Sequence, residues 1–275
     1  MTSTQSTVSD SDIFFFDLRG FLHLEQALSA AEVAALNAIL DSAPALEPGQ
    51  WWGHVNAHSY RDTDGLNLQQ IYEAGEPFEA LIDHPSWFER VKHFVGGQGT
   101  FDAHHGPLFI DEDFANLRGP GQAIGMHSGG HHHVIRNQFR VVDGKFHCGQ
   151  VNVLIALTDI GPGDGGTVLI PGSHKSNFPH PDLETYQMRG TRAGDIPEGG
   201  FEVSMRAGDA LLFVDTLCHG SARRDNEGQR RTVVYRYGPS WGTFRHNYQV
   251  SEDLLARLTP ERRQIVRPRA GWPPE

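Results

Sequence analysis

The chain has 275 residues, a formal net charge of −11 at pH 7 and two cysteines. This length allows one large domain with a substantial core, and the acidic charge excludes a broad surface for nucleic-acid polymers. No apolar run approaches the ~20 residues needed to cross a bilayer, and two cysteines are typical of a reducing cytoplasm rather than of a disulfide framework. We therefore expect a cytoplasmic protein with no membrane or nucleic-acid partner; no sequence feature indicates its oligomeric state.

The first third of the sequence predicts a tail followed by helices. Residues 1–12 begin with a polar stretch and indicate a disordered tail. Ser29-Ala30-Ala31-Glu32 is a capping box followed by apolar residues at helical spacing, so we predict a helix over residues 30–42. Pro48-Gly49 begins a loop-rich stretch. A second helical stretch is predicted over residues 76–95, interrupted at Pro85.

The remainder of the chain is predicted to be mainly β. Asp164-Gly165-Gly166 predicts a tight hairpin turn between the strand before it and the strand after it. Short strands separated by Gly and Pro turns indicate a double-stranded β-helix, a jelly-roll or cupin-like barrel with flanking helices. We predict a single domain over residues 13–275 that ends in two short helices, at residues 251–258 and from residue 259. The predicted strands cover residues 151–157, 167–170, 210–214 and 231–237.

Two histidines far apart in the sequence can meet at one mouth of such a barrel. His127 lies near its start, and His219 follows a predicted strand. Non-heme Fe(II) sites usually combine two histidines with one carboxylate, normally two residues after the first histidine, where this chain has Gly129. Arg230 lies at the head of another predicted strand and could bind a carboxylate through two parallel hydrogen bonds. Arg231 would point to the opposite face of that strand.

Several short segments carry a resemblance to a known family: Phe14-Phe15-Phe16, Gly20-Phe21-Leu22, His127, Ala156-Leu157-Thr158-Asp159, Asp164-Gly165-Gly166-Thr167, Pro171-Gly172-Ser173-His174-Lys175, Ala207-Gly208-Asp209, His219-Gly220-Ser221 and Arg230-Arg231. Over residues 13–265 the chain resembles the phytanoyl-CoA dioxygenase branch of the Fe(II)/2-oxoglutarate-dependent oxygenases. The resemblance implies that His127 and His219 bind iron and that Arg230 holds the distal carboxylate of 2-oxoglutarate. It also implies cofactor contacts from Thr167 and, if the strand register is shifted by one residue, from Arg231.

Gly129 departs from the pattern of that family and resembles a smaller set, the iron/2-oxoglutarate halogenases. In these enzymes glycine or alanine replaces the carboxylate, and chloride binds iron in the vacated space. The lost carboxylate leaves the metal one negative charge short, which an anion can supply. The resemblance implies Fe(II), 2-oxoglutarate, O2 and chloride as cofactors. It also implies chlorination of an unactivated aliphatic carbon of a small metabolite (a nucleotide, an amino acid or another natural-product precursor) by hydrogen abstraction and chlorine transfer. The alternatives are a hydroxylase that holds water at this position and a non-catalytic binding relative.

Other residues offer alternative or additional contacts. His131-His132-His133 could form a three-histidine metal site with His219, because alternate strand residues share a face. The family register favours His127 instead. Cys218 should point away from its neighbour His219. The candidate substrate-binding residues, placed in segments expected at the barrel mouth, are Arg189, Arg192, Arg223 and His131.

Overall fold

A computed structural model describes residues 8–61, 63–129, 135–242 and 248–266. Its helices are α1 (Asp10–Arg19), α2 (Ala30–Ser42), α3 (Glu76–Glu79), α4 (Phe88–Gly96), α5 (Leu183–Tyr186), α6 (Glu252–Arg257) and α7 (Pro260–Val266). Its strands are β1 (Phe21–Leu24), β2 (Trp51–Trp52), β3 (Val55–His58), β4 (Leu66–Gln69), β5 (Phe109–Arg118), β6 (Ile124–His127), β7 (Val141–Val142), β8 (Lys145–Phe146), β9 (Val151–Ala156), β10 (Thr167–Leu169), β11 (Phe201–Glu202), β12 (Ala210–Val214), β13 (His219–Ser221) and β14 (Arg230–Gly238). Short 3-10 turns cover Ile71–Ala74, Ile135–Asn137 and Ser173–Lys175.

The strands form two main antiparallel sheets. The large sheet has the order β1-β12-β9-β14-β5-β4-β3-β2, and the small sheet has the order β11-β10-β13-β6. The predicted class, mainly β with flanking helices, is confirmed. β5 and β14 are the longest strands of the large sheet and pair along most of their length, from Arg118 opposite Arg230 to Phe109 opposite Gly238.

The helical predictions hold, with one correction at the N-terminus. α2 has the predicted bounds, and Ser29 and Glu32 form the predicted capping box. The stretch predicted over residues 76–95 is divided into α3 and α4. The tail predicted over residues 1–12 is wrong from residue 9 onward, because Ser9 and Asp12 form a second capping box at the start of α1. Residues 1–7 lie outside the described residues.

Two predictions about the β region are wrong. The loop-rich stretch after Pro48 contains β2, β3 and β4, which extend the large sheet beyond β5. The predicted hairpin around Asp164-Gly165-Gly166 does not pair β9 with β10, because β9 pairs with β12 and β14, whereas β10 pairs with β11 and β13. The turn residues therefore carry the chain from one sheet to the other. Gly166 lies close to β11, where an added Cβ would be 2.7 Å from the carbonyl oxygen of Val203.

Side-chain alternation along β14 separates the helix-packed core from the interior between the sheets. On the helix side, the hydroxyl of Tyr235 donates to the carbonyl of Phe78, and that of Tyr237 donates to the carbonyl of Ile82. The opposite side faces the interior, so every second residue of β14 can reach a site there. These inward residues are Arg230, Thr232, Val234 and Arg236. None of the helices in the described part of the chain combines the length and the hydrophobicity needed to span a bilayer.

Candidate active site

His127 and His219 face each other across neighbouring strands of the small sheet. They are register partners on β6 and β13, and their ring centroids are 4.1 Å apart. The strands approach closely because Gly220 follows the second histidine: a Cβ there would lie 2.7 Å from the carbonyl oxygen of Ile124. The fold thus joins two histidines that are far apart in the sequence.

Each imidazole is oriented by a backbone carbonyl two residues earlier. Nδ1 of His127 lies 3.0 Å from the oxygen of Gly125, and Nδ1 of His219 lies 2.6 Å from the oxygen of Leu217. If Nδ1–H donates in both rings, Nε2 carries the lone pair that a metal ion needs. Burial, followed by the neighbouring His127, lowers the pKa of His219 well below its usual range. The neutral form, which ligates metals, is therefore favoured.

No third protein ligand joins this pair within the described residues. They contain no group of three His, Cys, Asp or Glu side chains arranged to hold a metal ion. Asp215 is near enough to oppose part of the fall in the pKa of His219. Its carboxylate, however, accepts hydrogen bonds from Arg136 (3.2 Å) and Asn152 (3.1 Å). The described donor set therefore consists of two imidazoles.

Gly129 has a backbone conformation that disfavours any side chain. Its φ is +87°, in the left-handed region, and Ser128 before it also has a positive φ of 60°. The amide of Gly129 donates to the carbonyl of Thr216 (2.8 Å), which ties this segment to the approach to β13. A Cβ at position 129 would lie 2.7 Å from Cβ of Cys218. A carboxylate at position 129 would therefore require the backbone to move.

Arg230 is buried and has only neutral hydrogen-bond partners among the described residues. It is 2% exposed, and its guanidinium donates to the carbonyl of Gly165 and to Oδ1 of Asn116 (3.2 Å). Its Nε–H has no partner in the described part of the chain. Burial, then the neighbouring Arg118 and Arg224, lower its pKa well below the usual range. Such an environment favours an anion beside the guanidinium.

Arg118 is a second buried cation, directly opposite Arg230 in the β5–β14 ladder. It is fully buried and shares both neutral acceptors, with Nη1 3.5 Å from the oxygen of Gly165 and Nη2 3.4 Å from Oδ1 of Asn116. Burial lowers its pKa to about 10. The third arginine nearby, Arg224, is neutralised by Asp164 at 2.8 Å. Arg118 and Arg230 thus form a buried cationic pair without a direct carboxylate partner in the described structure.

The histidine pair and Arg230 line one interior cavity between the sheets. Thr167 lies on its wall and is 4% exposed, as its predicted role requires. The polar side chains that line the cavity are Asn116, His127, Thr167, His219, Ser221, Arg230, Thr232 and Arg236. Aromatic and aliphatic side chains complete the wall, among them Phe114, Leu154 and Phe213.

Arg231 is not part of this cavity, so the prediction that it contacts the cofactor is wrong. Strand alternation turns its side chain outward toward α2, where Nη1 lies 2.7 Å from Asp41 and 3.1 Å from Oδ1 of Asn37. The register in which Arg230 is the inward residue is confirmed by its burial.

Two of the arginines predicted to bind substrate have other contacts. Arg192 pairs with Asp195 at 2.9 Å and donates to the hydroxyl of Tyr186 at 2.8 Å. Arg223 donates to the carbonyl of Gly121 at 3.1 Å. Neither lines a cavity that contains His127, so the structure does not bring them to the site.

Arg189 does lie beside the histidine pair. It lines a groove that opens outside the interior cavity and shares His127 as a wall. His131 and the alternative metal site at His131-His132-His133 lie outside the described residues. Cys218 is 1% exposed in a cluster with Met126 and Val168.

The sequence did not point to three charged residues around the site. Arg118 is the last residue of β5, a strand whose β character is masked by its acidic residues. Arg61 lines the same groove as Arg189. Arg236, inward on β14 by the same alternation as Arg230, pairs with the buried Glu112 at 2.5 Å. Only alternation along β14 could have indicated Arg236 beforehand.

Comparison with known proteins identifies the family. The family model "Phytanoyl-CoA dioxygenase (PhyH)" matches residues 16–232. The chain belongs to the phytanoyl-CoA dioxygenase family. Among curated relatives, the iron/alpha-ketoglutarate-dependent dioxygenase penM of Penicillium thymicola is 32% identical over 124 residues, which is 44% of this chain and 34% of penM. Dioxygenase cdmA of Talaromyces verruculosus is 27% identical over 123 residues, 44% of this chain and 36% of cdmA. The matches thus span about a third of the length of these relatives.

Solved structures confirm the fold. HygX from Streptomyces hygroscopicus, with nickel and 2-oxoglutarate bound, has a TM-score of 0.69 and 23% identity, covering 90% of this chain and 94% of HygX. The carbocyclase SnoK from nogalamycin biosynthesis has a TM-score of 0.57 and 19% identity, covering 98% of each chain. This likeness confirms the predicted jelly-roll fold. None of the relatives named here is described as a halogenase.

Proposed function

We propose that this protein is an Fe(II)- and 2-oxoglutarate-dependent oxidoreductase that acts on a small molecule. The observation that carries the proposal is the single interior cavity that joins His127, His219 and the buried Arg230. Family membership supports it, as do the relatives: penM is described as iron/alpha-ketoglutarate-dependent, and HygX has been solved with iron and with 2-oxoglutarate.

The side chains present fit an iron ion and a 2-oxo dicarboxylate. Two imidazole Nε2 atoms would hold the metal, each oriented by its Nδ1 contact to a backbone carbonyl. Bound together with 2-oxoglutarate, iron would activate O2, which supplies the oxidising equivalents for a reaction at a C–H bond. Arg230 would hold the far carboxylate, and Arg118 would strengthen the positive potential behind it.

The cationic pair gives this assignment a physical reason. A buried guanidinium with only neutral partners is costly to desolvate, and Arg118 lies beside Arg230 with the same acceptors. A carboxylate would provide the missing counter-charge for both. Thr167 lines the same cavity, and its hydroxyl would donate to the same ligand.

We further propose that the reaction of this oxidoreductase is a halogenation. It rests on Gly129 and on the absence of a third carboxylate ligand in the described residues. With two positions filled by histidines and two by the 2-oxo acid, a halide could take one of the remaining positions and balance the charge. Hydroxylation is the competing activity, favoured by the description of penM and cdmA as dioxygenases.

The test begins with the ligand complex, which needs no knowledge of the substrate. Anaerobic protein is mixed with Fe(II) and 2-oxoglutarate, and the weak visible band of the chelate is recorded. We expect the band in the wild type, its loss in His219→Ala and a much weaker affinity for 2-oxoglutarate in Arg230→Gln. Absence of the band in correctly folded wild-type protein would contradict the proposed function.

Halide dependence is then tested on the same complex. Chloride and bromide should each shift the visible band if a halide binds iron. After O2 addition, a substrate that reacts should carry the halogen supplied in place of one hydrogen, which mass spectrometry detects. A band indifferent to halide, together with oxygenated products alone, would assign the protein as a hydroxylase.

A further inference from the structure

A second cavity, open to the surface, adjoins the interior site. Its volume is about 400 Å³, and it shares the side chain of His127 with the interior cavity. We call it the outer groove, lined by Arg61, Met126, His127, Gln187, Met188 and Arg189. A molecule in this groove would lie directly beside the histidine pair.

The segment that carries Arg189 is held against β6 by a glycine. A Cβ at Gly125 would lie 2.2 Å from the amide nitrogen of Met188, so only glycine allows this approach. The amide of Gln187, which caps the C-terminus of α5, also donates to the carbonyl of Leu183. Because His127 follows Gly125 by two residues on the same strand, this packing sets Arg189 beside the metal-ligand candidate.

Arg61 reaches the groove from a different part of the chain. The buried carboxylate of Asp64 accepts the amides of Tyr60 (3.1 Å) and Arg61 (3.0 Å). The amide of Ala123, just before β6, donates to the carbonyl of Thr63 (2.9 Å). These bonds fix the backbone of Arg61 and tie its loop to the strand of His127.

Within residues 8–61, 63–129, 135–242 and 248–266, neither guanidinium has a carboxylate partner. Neither Arg61 nor Arg189 has a side-chain hydrogen bond or ion pair with any residue that the structure describes, although the chain carries a net charge of −11. Arginines elsewhere are commonly matched, and those paired with a carboxylate include Arg90, Arg136, Arg192, Arg224, Arg231, Arg236, Arg257 and Arg262.

We propose that the outer groove binds an oxyanion of the substrate, a phosphate or a carboxylate, through Arg61 and Arg189. Planar guanidiniums bind these groups with two parallel hydrogen bonds, and two of them match the charge of a phosphate monoester. The inference rests on the proposed function only for what happens at His127. Anchored in this way, the anionic end stays in the groove, and the carbon to be modified lies on the far side of His127.

Direct binding to metal-free protein tests the groove separately from the iron chemistry. Inorganic phosphate and acetate are the probes, and 31P and 13C NMR titrations give their dissociation constants. Every protein is prepared in an Arg230→Gln background, which removes the guanidinium proposed to hold 2-oxoglutarate. Arg118 is present in every protein, so differences between the variants report on the groove. Circular dichroism confirms that each variant is folded.

We expect Arg61→Gln and Arg189→Gln each to weaken binding of the preferred anion about tenfold, as the loss of a charge-assisted contact requires. The double variant should show no saturable binding. Arg206→Gln is the matched control, since this arginine is exposed, has no side-chain partner among the described residues and lines a different cavity. It should change the affinity less than twofold.

The two probes separate the possible sources of the anion. Tighter binding of phosphate indicates a phosphorylated substrate, and tighter binding of acetate indicates a carboxylate. The proposal would be overturned if the protein with the unchanged groove and the double variant bound the probes equally. It would also be overturned if neither probe bound at about 50 mM. Failure of the iron chelate test would leave this result intact, because no metal is present in the titration.

Discussion

The adjacent residues Arg230 and Arg231 on β14 have different roles because their side chains point to opposite faces of the sheet. Arg230 enters the interior with neutral partners, whereas Arg231 lies outside against Asp41, whose side chain is 63% exposed. A surface ion pair of this kind contributes about 0–1 kcal/mol. The inward guanidinium instead would meet its charge partner only when a carboxylate binds.

Arg230→Gln should therefore lower the affinity for 2-oxoglutarate far more than Arg231→Gln does. Loss of a charge-assisted contact costs about 1.5–3 kcal/mol, or at least about tenfold in the dissociation constant. We expect Arg231→Gln to change that constant less than twofold or thereabouts. The measurement is a titration of 2-oxoglutarate into anaerobic Fe(II)-loaded protein. Similar losses in both variants would mean that neither guanidinium reaches the ligand directly.

Substitution of Gly129 tests both backbone strain and the halide position. Gly129→Ala and Gly129→Asp should each destabilise the protein by about 2 kcal/mol, because each adds a Cβ at a positive φ and against Cys218. Urea denaturation measures this cost.

Only the aspartate variant adds a carboxylate, so the comparison with alanine isolates its charge. Both are also made with Cys218→Gly, which removes the nearest clashing atom. We expect the chloride-induced shift of the visible band to persist with alanine and to vanish with aspartate. Persistence with both would place the halide away from residue 129.

At the residue scale, the sequence indicated four residues of the interior cavity and Arg189 of the outer groove, but not Arg61. His127, His219, Thr167 and Arg230 lie in motifs of the family and do line one cavity. Arg61 carries no motif, and its position depends on Asp64 and Thr63, which join its loop to the chain before β6. Such contacts between distant segments cannot be read from local spacing.

At the scale of elements, the 3-10 turn at Ser173–Lys175 connects the terminal helix α1 to β13. Ser173 accepts the amide of Cys218 (2.8 Å). Nε2 of His174 lies 3.0 Å from the carbonyl of Asp17, and Nδ1 is buried without a partner in the described residues. The family motif therefore has a structural role here: it fastens α1 beside the strand of His219.

Acidification should loosen this connection. Burial lowers the pKa of His174 to about 4 from its usual 6.5. Below pH 6.5 His174 binds a proton in the unfolded chain but stays neutral in the folded chain. The free energy of unfolding therefore decreases as the pH falls from 6.5 toward 4. The contribution between pH 7 and pH 5 is about 2 kcal/mol, and the lowered pKa values of His93 and His219 act in the same direction.

Urea denaturation at several pH values measures the effect. His174→Gln keeps an N–H donor but does not titrate, so the fall in the free energy of unfolding from pH 7 to pH 5 should be smaller by about 2 kcal/mol. His54→Gln, at an exposed position, is the control. An unchanged pH dependence in His174→Gln would exclude this histidine as a source of acid sensitivity.

The longest strand was also the hardest element to predict. β5 contains Asp111, Glu112 and Asp113, all fully buried, and acidic residues in succession are typical of loops. Each has a partner from another element: Gln150 donates to Asp111, Arg236 donates to Glu112, and the amide of Tyr72 donates to Asp113. These partners come from distant segments, whereas the capping box of α2 and its apolar spacing are local and were predicted correctly.

At the scale of the whole molecule, the terminal helices share the core of the large sheet. Phe16 of α1 stacks on Phe94 of α4 with ring centroids 3.7 Å apart, and both belong to the same buried cluster as Tyr235 and as Ile265 of α7. The single domain over residues 13–275 stays a prediction; if it holds, this shared core should unfold as one cooperative unit.

Phe16→Ala tests that prediction from the end of the chain. Removing a fully buried phenylalanine costs about 3–5 kcal/mol. If the chain is one cooperative unit, the urea midpoint should fall equally by tryptophan fluorescence and by far-UV circular dichroism, with an unchanged slope. Phe14 is on the same helix but 60% exposed, so Phe14→Ala should lower the free energy of unfolding by less than about 0.5 kcal/mol. A mutant in which the helical signal melts first, while the fluorescence midpoint stays in place, would mean that α1 docks on a barrel that folds without it.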